Sequence, residues 1–268
     1  MYLRNMKREV KKDDFSILTK KEPEKSLILP LKEKAGRGRG GRITVRHKGG
    51  RVKRLYRIIN FGQEKLGIKG KVEAIEYDPN RTSFIALIKY EDGDRGYILY
   101  PKDLKIGDEI ICAEKAEIKT GNRMKLKNIP IGTLLHNIEL SPEKGGKIVR
   151  AAGTAAKIVG QEGKYTILEM PSKEIRRFFS ECFASIGQVS REWKKDIPLG
   201  KAGRKRYKGI RPTVRGKAMR PVEHPHGGGK GRAPIGLKYP KTPWGKPARG
   251  VKTRKKKWSD RLITKRRK

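Results

Sequence analysis

The chain has 268 residues, of which 68 are Lys or Arg and 28 are Asp or Glu, so its formal net charge at pH 7 is +40. Such an excess of positive charge favours a polyanionic partner, above all nucleic acid. No apolar run reaches the roughly 18 residues of a membrane span, and residues 1–25 lack the apolar stretch of a secretory signal. These observations predict a cytoplasmic protein without a membrane partner.

Residues 1–36 mix charges without a clear period and are predicted to form an extended N-terminal arm. A basic, glycine-rich stretch overlaps its end, since residues 35–57 contain nine basic residues, six glycines and no acid. Glycine lets the backbone approach RNA closely, and arginine can donate to two phosphate oxygens at once. The RNA-binding residues predicted here are Arg37, Arg39, Arg42, Arg46, His47, Lys48, Arg51, Lys53, Arg54 and Arg57.

The segment Gly36–Gly41 also fits the spacing of the dinucleotide-binding fingerprint. That motif needs a hydrophobic strand before it and a helix after it, which together aim backbone amides at a pyrophosphate. Here a charged segment precedes the glycines, and Ile43–Arg46, which we predict to be a strand, follows them. We therefore favour an RNA-contacting segment over a cofactor site.

Residues 37–120 are predicted to form a first β-barrel, with the basic stretch as its entry. The charge balance reverses inside it, because residues 71–118 carry 7 basic and 11 acidic residues. Short strands separated by turn formers favour a small closed barrel, since closure removes exposed sheet edges. The predicted strands are Lys71–Tyr77, Ser83–Tyr90, Arg95–Tyr100 and Ile110–Ala113.

Residues 121–197 are predicted to form a second β module. Its predicted strands are Leu134–Leu140, Ala155–Val159, Tyr165–Met170 and Ala184–Val189. The apolar positions of Ser172–Phe179 do not decide between a helical turn and a strand, and we favour the strand. Cys112 and Cys182 fall in different modules, which favours two buried free thiols over a disulfide.

Residues 198–268 are predicted to form a basic C-terminal extension that threads into RNA. From residue 201 onward it carries 25 basic and two acidic residues, and its apolar residues show neither a helical nor a strand period. Such a segment cannot build a core and needs contacts with a polyanion to become ordered. The RNA-binding residues predicted here include Lys201, Arg204, Arg206, Tyr207, Arg211, Arg215, Arg220, Lys230, Arg232, Trp244, Lys252, Arg254, Lys255, Lys256 and Lys257. Trp244 and Tyr207 lie among cations, which favours stacking on unpaired bases.

Three interpretations apply to His224 and His226, which flank a proline before three glycines. A zinc site lacks further ligands at paired short spacing, and a general base lacks an identifiable substrate. We therefore favour a tight loop whose imidazoles stack on RNA or hydrogen-bond to it. The predicted RNA-binding residues of this loop are His224, His226, Gly227, Gly228 and Gly229.

Several motifs, in order, closely resemble the large-subunit ribosomal protein two family of the bacterial type. The resemblance extends from about residue 38 to the C-terminus. Its motifs are Ile75–Arg81, Leu135–Glu139, Gly187–Val189, Arg211–Gly216, His224–Gly229 and Thr242–Gly245.

The resemblance implies a mostly β fold, in which an oligonucleotide-binding-fold barrel precedes a Src-homology-3-like barrel and both termini extend as long basic segments. It implies a structural, primary rRNA-binding protein of the large (50S) subunit that supports subunit association, tRNA binding and peptide-bond formation. The implied partners are 23S-type rRNA, neighbouring ribosomal proteins and small-subunit rRNA at an intersubunit bridge. No cofactor or metal of its own is implied, although Mg²⁺ can accompany the RNA.

The resemblance also places one loop nearest the peptidyl transferase centre, namely His224, Pro225, His226, Gly227, Gly228 and Gly229. We expect His224 to position RNA and not to act as a catalyst. The competing hypotheses are an enzyme that uses His224 as a general base and a nonspecific protein that compacts nucleic acid. The chain departs from the family at Arg220, Glu223 and Lys230, where Asn, Asp and Glu are usual, so this loop gains two cations.

Overall fold

The computed structural model describes residues 13–20, 22–230 and 234–267, and this part of the chain is mostly β. Its strands are β1 (Ile28–Pro30), β2 (Leu55–Arg57), β3 (Lys69–Tyr77), β4 (Phe84–Tyr90), β5 (Arg95–Leu99), β6 (Glu109–Ile111), β7 (Arg123–Lys125), β8 (Leu134–His136), β9 (Ile138–Glu139), β10 (Gly146–Ile148), β11 (Ala156–Glu162), β12 (Tyr165–Glu169), β13 (Ile175–Phe179), β14 (Phe183–Ile186) and β15 (Ile263–Lys265). Its helices are α1 (Ala202–Tyr207) and 3-10 turns at Lys25–Leu27, Leu126–Asn128, Glu192–Asp196, Gly216–Ala218 and Trp258–Leu262. None of these helices has the length and apolar character needed to cross a membrane.

The chain divides into two compact units that do not follow the sequence order. The first unit contains residues 1–32, 53–198 and 261–268, and the second contains residues 33–52 and 199–260. The domain bounds inferred from the sequence remain predictions. The structure nevertheless groups residues 35–52 of the glycine-rich basic stretch with residues 199–260 of the C-terminal extension, whereas residues 53–57 belong to the first unit.

The first β module is an antiparallel sheet with the strand order β5-β4-β3-β6. Strand β4 lies in its middle, and the continuous apolar run Phe84–Ile88 is fully buried because both sheet faces are covered. One face packs with Val72, Phe84 and Ile98, and the other packs with Ile59, Leu87 and Tyr97. A bulge between Val72 and Ala74 bends β3 along this sheet.

The second β module is a seven-stranded antiparallel sheet with the strand order β15-β13-β12-β11-β8-β14-β7. Its core contains buried residues from β7, β8, β11, β12 and β14, including Met124, Leu135, Ile158, Leu168 and Ala184. Strands β9 and β10 form a separate pair beside it. The two modules are consistent with the oligonucleotide-binding-fold and Src-homology-3-like barrels, so the expected mostly β fold class is confirmed.

Most strands predicted from the sequence are confirmed to within a few residues, including the ambiguous segment that becomes β13. The strand predicted at Ile43–Arg46 is wrong. Ile43 makes a single bridge to Arg37, and the amides of Thr44 and Val45 both donate to the carbonyl of Gly36, at 3.0 and 3.1 Å. These bonds close a tight loop in place of a strand, at a glycine whose φ of +76° favours a turn.

The second unit has no hydrophobic core. No apolar side chain among its described residues is buried, and its only buried side chain in that part of the chain is the imidazole of His224. Its regular structure there is limited to α1 and short 3-10 turns. This agrees with the prediction that the extension cannot form a core from its scattered apolar residues.

Candidate RNA-binding surfaces

The glycine-rich basic stretch and the C-terminal extension are joined by backbone hydrogen bonds. The amide of Gly49 donates to the carbonyl of Gly209 at 3.0 Å, and the amide of Arg211 donates to the carbonyl of His47 at 2.8 Å. Gly49 is required at this crossing, because a Cβ on it would lie 2.7 Å from Cγ of Arg211. Two basic segments that the sequence suggested separately therefore form one unit.

This second unit is strongly cationic. Residues 33–52 and 199–260 contain 27 basic and three acidic residues, a net charge of +24 in the absence of a core. Most side chains predicted to bind RNA are exposed on it or next to it, as a polyanion-binding surface requires. The exposed residues are Arg37, Arg39, Arg42, Arg46, His47, Lys48, Lys53, Lys201, Arg204, Arg206, Tyr207, Arg211, Arg215, Arg220, Lys230, Trp244, Lys252, Arg254, Lys255, Lys256 and Lys257.

Three of the arginines predicted to bind RNA are not exposed. Arg51 and Arg54 are half-buried, Arg51 by an ion pair with Glu33 and Arg54 by a hydrogen bond to the carbonyl of Pro79. Arg57 is buried on β2 and donates to the carbonyl of Leu55, which disfavours direct contact with RNA. Arg232 lies outside the described residues.

A folded loop surrounds His224. The carbonyl of Arg220 accepts the amides of Glu223 and His224, while the amide of Gly227 donates to the carbonyl of His224 at 2.8 Å. The amide of Gly228, whose φ is +84°, donates back to the carbonyl of Met219. These bonds form a compact turn that carries Val222, 95% exposed, at its tip.

The imidazole of His224 lies inside the second unit. Its exposed fraction is 7%, and a Cβ placed on Gly216 would lie 2.5 Å from its ring atoms Cε1 and Nδ1. Burial of the ring, together with repulsion from His226 and Arg46, lowers the pKa of His224 below its usual value of 6.5. Direct RNA contact by this imidazole remains a prediction, but little of the ring is open to a ligand.

Trp244 occupies the tip of a neighbouring turn. The amide of Thr242 donates to the carbonyl of Lys246 at 2.7 Å, and the amide of Gly245 donates to the carbonyl of Thr242. The indole is 80% exposed, although a tryptophan normally gains stability from burial. A large exposed aromatic ring among cations is suited to stacking on an unpaired base.

The structure also brings together a basic cluster that the sequence analysis missed. The guanidinium carbon of Arg81 lies 4.8 Å from the ring centroid of Phe61, and that of Arg150 lies 4.3 Å from it. Burial and the neighbouring charge of Arg81 lower the pKa of Arg150. Asp78 pairs with Arg81 at 3.2 Å, so the cluster holds two guanidiniums and one carboxylate, and an anion is favoured here.

No local signal marks this cluster. Arg81 and Arg150 are isolated cations in segments without a charge run, and only the fold places both on the Phe61 ring. A charge-pattern search finds runs, whereas this cluster is assembled from residues that are far apart in sequence.

We find neither a candidate metal site nor a reactive thiol in the described part of the chain. No three His, Cys, Asp or Glu side chains there are arranged to hold a metal ion. Cys112 and Cys182 are free and buried, and burial raises the pKa of their thiols to about 11 and about 12. Both thiols are therefore protonated at neutral pH and poor nucleophiles.

Comparison with protein families accounts for most of the chain. A model described as the RNA-binding N-terminal domain of ribosomal proteins L2 matches residues 24–112, which include the four-stranded sheet and the glycine-rich basic stretch. A model described as the C-terminal domain of ribosomal proteins L2 matches residues 119–245, which include most of the second sheet, the His224 loop and Trp244. The chain therefore belongs to the ribosomal protein L2 family.

Proposed function

We propose that the cationic second unit is the principal rRNA-binding element of this protein. The protein is a structural component of the large ribosomal subunit and binds rRNA. The proposal rests on one observation. Residues 33–52 and 199–260 form a single unit that has a net charge of +24 and no hydrophobic core among its described residues. Such a unit gains little from burying its own side chains, so phosphate contacts supply its stabilising interactions.

A second, smaller RNA contact is proposed at Arg81 and Arg150. Their guanidiniums are held in place on Phe61, which lowers the entropy lost when they bind a phosphate. The sheet modules would then fix the orientation of the protein on the RNA, while the second unit supplies most of the charge neutralisation.

Within the subunit, we place the loop of residues 224–229 near the peptidyl transferase centre of 23S-type rRNA, as the family resemblance implies. From there the protein would support tRNA binding and peptide-bond formation. Contact with small-subunit rRNA at an intersubunit bridge would support subunit association, and other ribosomal proteins would be its neighbours in a cytoplasmic ribosome. The protein needs no cofactor for these roles, and Mg²⁺ would be bound through the RNA.

The family points to a structural and not an enzymatic role. The geometry of His224 supports a structural role, because its Nδ1 already accepts a hydrogen bond from the amide of His226 at 3.0 Å and its ring is largely buried. A general base needs a free nitrogen within reach of a substrate proton. Peptidyl transfer would thus remain with the RNA.

The test is sedimentation of cell extract through a sucrose gradient, followed by washes of the pelleted large subunits in rising salt. An embedded component stays on the subunit in stoichiometric amount at high salt, because contacts buried in folded RNA are poorly screened. Loss at moderate salt would contradict the proposal. Competition of purified protein between large-subunit rRNA and duplex DNA provides the matched control, since a nonspecific compacting protein would bind both equally.

A further inference from the structure

We propose that His224 and His226 are positioning residues of the RNA-binding loop, which act as neutral imidazoles by accepting main-chain hydrogen bonds on ring nitrogens. The inference rests on the proposed RNA-binding function of this loop. It differs from a role in which the imidazoles themselves contact RNA, because the ring nitrogens concerned are used inside the protein.

The donor and acceptor pattern fixes the protonation state of both rings. The amide of His226 donates to Nδ1 of His224 at 3.0 Å, and the amide of Lys241 donates to Nε2 of His226 at 2.8 Å. An N–H can donate only to a ring nitrogen that carries no proton. His224 is therefore the Nε2–H tautomer and His226 is the Nδ1–H tautomer, and neither ring is an imidazolium.

The surroundings of His224 favour the neutral ring. Gly216 presses against it, and the ring centroids of the two histidines lie 4.6 Å apart. The charged or titratable groups that face His224 in the described chain are His226 on its own loop and Arg46 from the glycine-rich basic stretch. Both oppose a positive charge on His224, in the same direction as its burial.

The two hydrogen bonds join two segments of the unit, the loop of residues 224–229 and the turn that begins at Lys241. The first bond lies within the loop, between residues 226 and 224 and just after the turn that carries Val222, and the second ties this loop to Lys241, three residues before Trp244. Protonation of either ring would turn an acceptor into a donor that faces an amide donor, so the bond would break. The spacing between the two exposed tips, Val222 and Trp244, depends on these neutral imidazoles.

The need for neutral imidazoles gives RNA affinity a pH dependence opposite to the one usual for a basic protein. Protonated histidines normally strengthen binding to a polyanion because they add positive charge. Here protonation of His224 would disorder the loop, so affinity for rRNA would fall only at pH values below 6.5, because the pKa of His224 is lowered from that value.

The experiment uses side-chain amides that mimic one ring nitrogen each. The Oδ1 atom of asparagine occupies the place of Nδ1, and the Oε1 atom of glutamine occupies the place of Nε2. We expect His224→Asn and His226→Gln to retain affinity for a large-subunit rRNA transcript at pH 7.5 to within about twofold. His224→Gln and His226→Asn misplace the acceptor and should lose about tenfold, the effect of one buried amide left without its partner.

Two further readouts make the result decisive. Long-range ¹H–¹⁵N spectra of the full protein bound to the large-subunit rRNA transcript should show the Nε2–H tautomer for His224 and the Nδ1–H tautomer for His226. The affinity of the native protein should fall between pH 7.5 and pH 5.5, whereas that of the double variant His224→Asn/His226→Gln should change less.

Equal affinities for all four single variants, tighter native binding at pH 5.5, or the opposite tautomers would overturn the inference. Failure of the native protein to prefer rRNA over duplex DNA at pH 7.5 would instead overturn the proposed function, while the tautomers would still test the geometry.

Discussion

The carboxylate of Asp13 is paired with the guanidinium of Arg191, 178 residues further along the chain. Nε of Arg191 donates to Oδ1 of Asp13 at 2.9 Å, and Nη2 of Arg191 donates to Oδ2. Arg191 is 2% exposed and its guanidinium lies over the rings of Phe15, Tyr77 and Phe84. The end of the second β module is thereby linked to the N-terminal arm and to the first sheet.

Replacement of Asp13 with alanine should destabilise the protein by about 3 kcal/mol, because it leaves a buried guanidinium without its carboxylate. The measurement is the midpoint of urea unfolding of the RNA-free protein. Asp14→Ala is the matched control, since this neighbouring carboxylate is exposed and should cost about 0.5 kcal/mol or less. Equal effects of the two substitutions would mean that the Asp13–Arg191 pair contributes no net stability.

The same pair has a pH signature. Burial by itself raises the pKa of Asp13, but hydrogen bonds from Arg191 and Lys194 outweigh it and leave the pKa below the usual 3.8. A depressed folded-state pKa gives stability that is complete above the unfolded value and is lost as the pH falls through the folded value. Native protein should therefore lose stability below about pH 4 more steeply than Asp13→Asn.

From the burial of His136 we expect a second loss of stability, at a higher pH than the loss caused by Asp13. Burial lowers its pKa from 6.5 to about 4, and its Nδ1–H donates to the carbonyl of Gly187 at 3.0 Å. The unfolded chain takes up a proton here before the folded chain does, so stability is complete above pH 6.5 and falls between pH 6.5 and 4 by about 3 kcal/mol. The variant His136→Asn keeps a donor near Gly187 and should flatten this slope in urea unfolding at a series of pH values. An unchanged slope would assign the loss to other groups.

Substitution of Arg81 or Arg150 with alanine should weaken binding to large-subunit rRNA by about 1–2 kcal/mol and reduce the slope of affinity against salt by about one. Arg95→Ala is the control, because Arg95 is also a paired cation of the first unit, as Arg81 is, but it lies outside the cluster on Phe61. Thermal unfolding of each variant separates a binding defect from a folding defect. If Arg95→Ala weakens binding as much as the other two, the Phe61 cluster has no special role.

Trp244 and Trp193 should respond in opposite ways to replacement by alanine. Trp244 is exposed, so Trp244→Ala should leave stability within about 0.5 kcal/mol of native while RNA affinity falls by about 1–3 kcal/mol, the value of one stacked base. Trp193 packs partly buried against the first module, so Trp193→Ala should lower stability. Calorimetric unfolding and filter binding together distinguish the two effects, and an unchanged affinity for Trp244→Ala would exclude stacking.

The strands were predictable because their signals are local. Apolar runs such as Phe84–Ile88 and turn formers between them mark each strand, and a few residues decide each boundary. Ile43–Arg46 shows the limit of such patterns. Its β-branched residues favour a strand, but Gly36, seven residues before Ile43, supplies a carbonyl that draws Thr44 and Val45 into a loop.

The joined basic unit and the cluster on Phe61 could not be predicted in the same way. The bond between Gly49 and Gly209 connects backbone groups 160 residues apart, and neither glycine has a side chain to signal the contact. Burial of His224 likewise depends on Gly216, which lacks any pattern that would mark it as a packing surface. The candidate RNA-binding residues could be suggested from charge, but their grouping depends on the tertiary fold.

Strand β15 was also missed, because its three residues are embedded in a basic run. It pairs with β13 through Ile175 and Lys265 and returns the chain to the second sheet after residue 260. The segment of residues 199–260 is thus attached at both ends. Because the entropy of closing a loop grows with the logarithm of its length, doubling this segment would cost only about 0.6 kcal/mol. Its length can therefore vary by insertion or deletion to match the RNA it reaches, while the strand that anchors its far end remains unchanged.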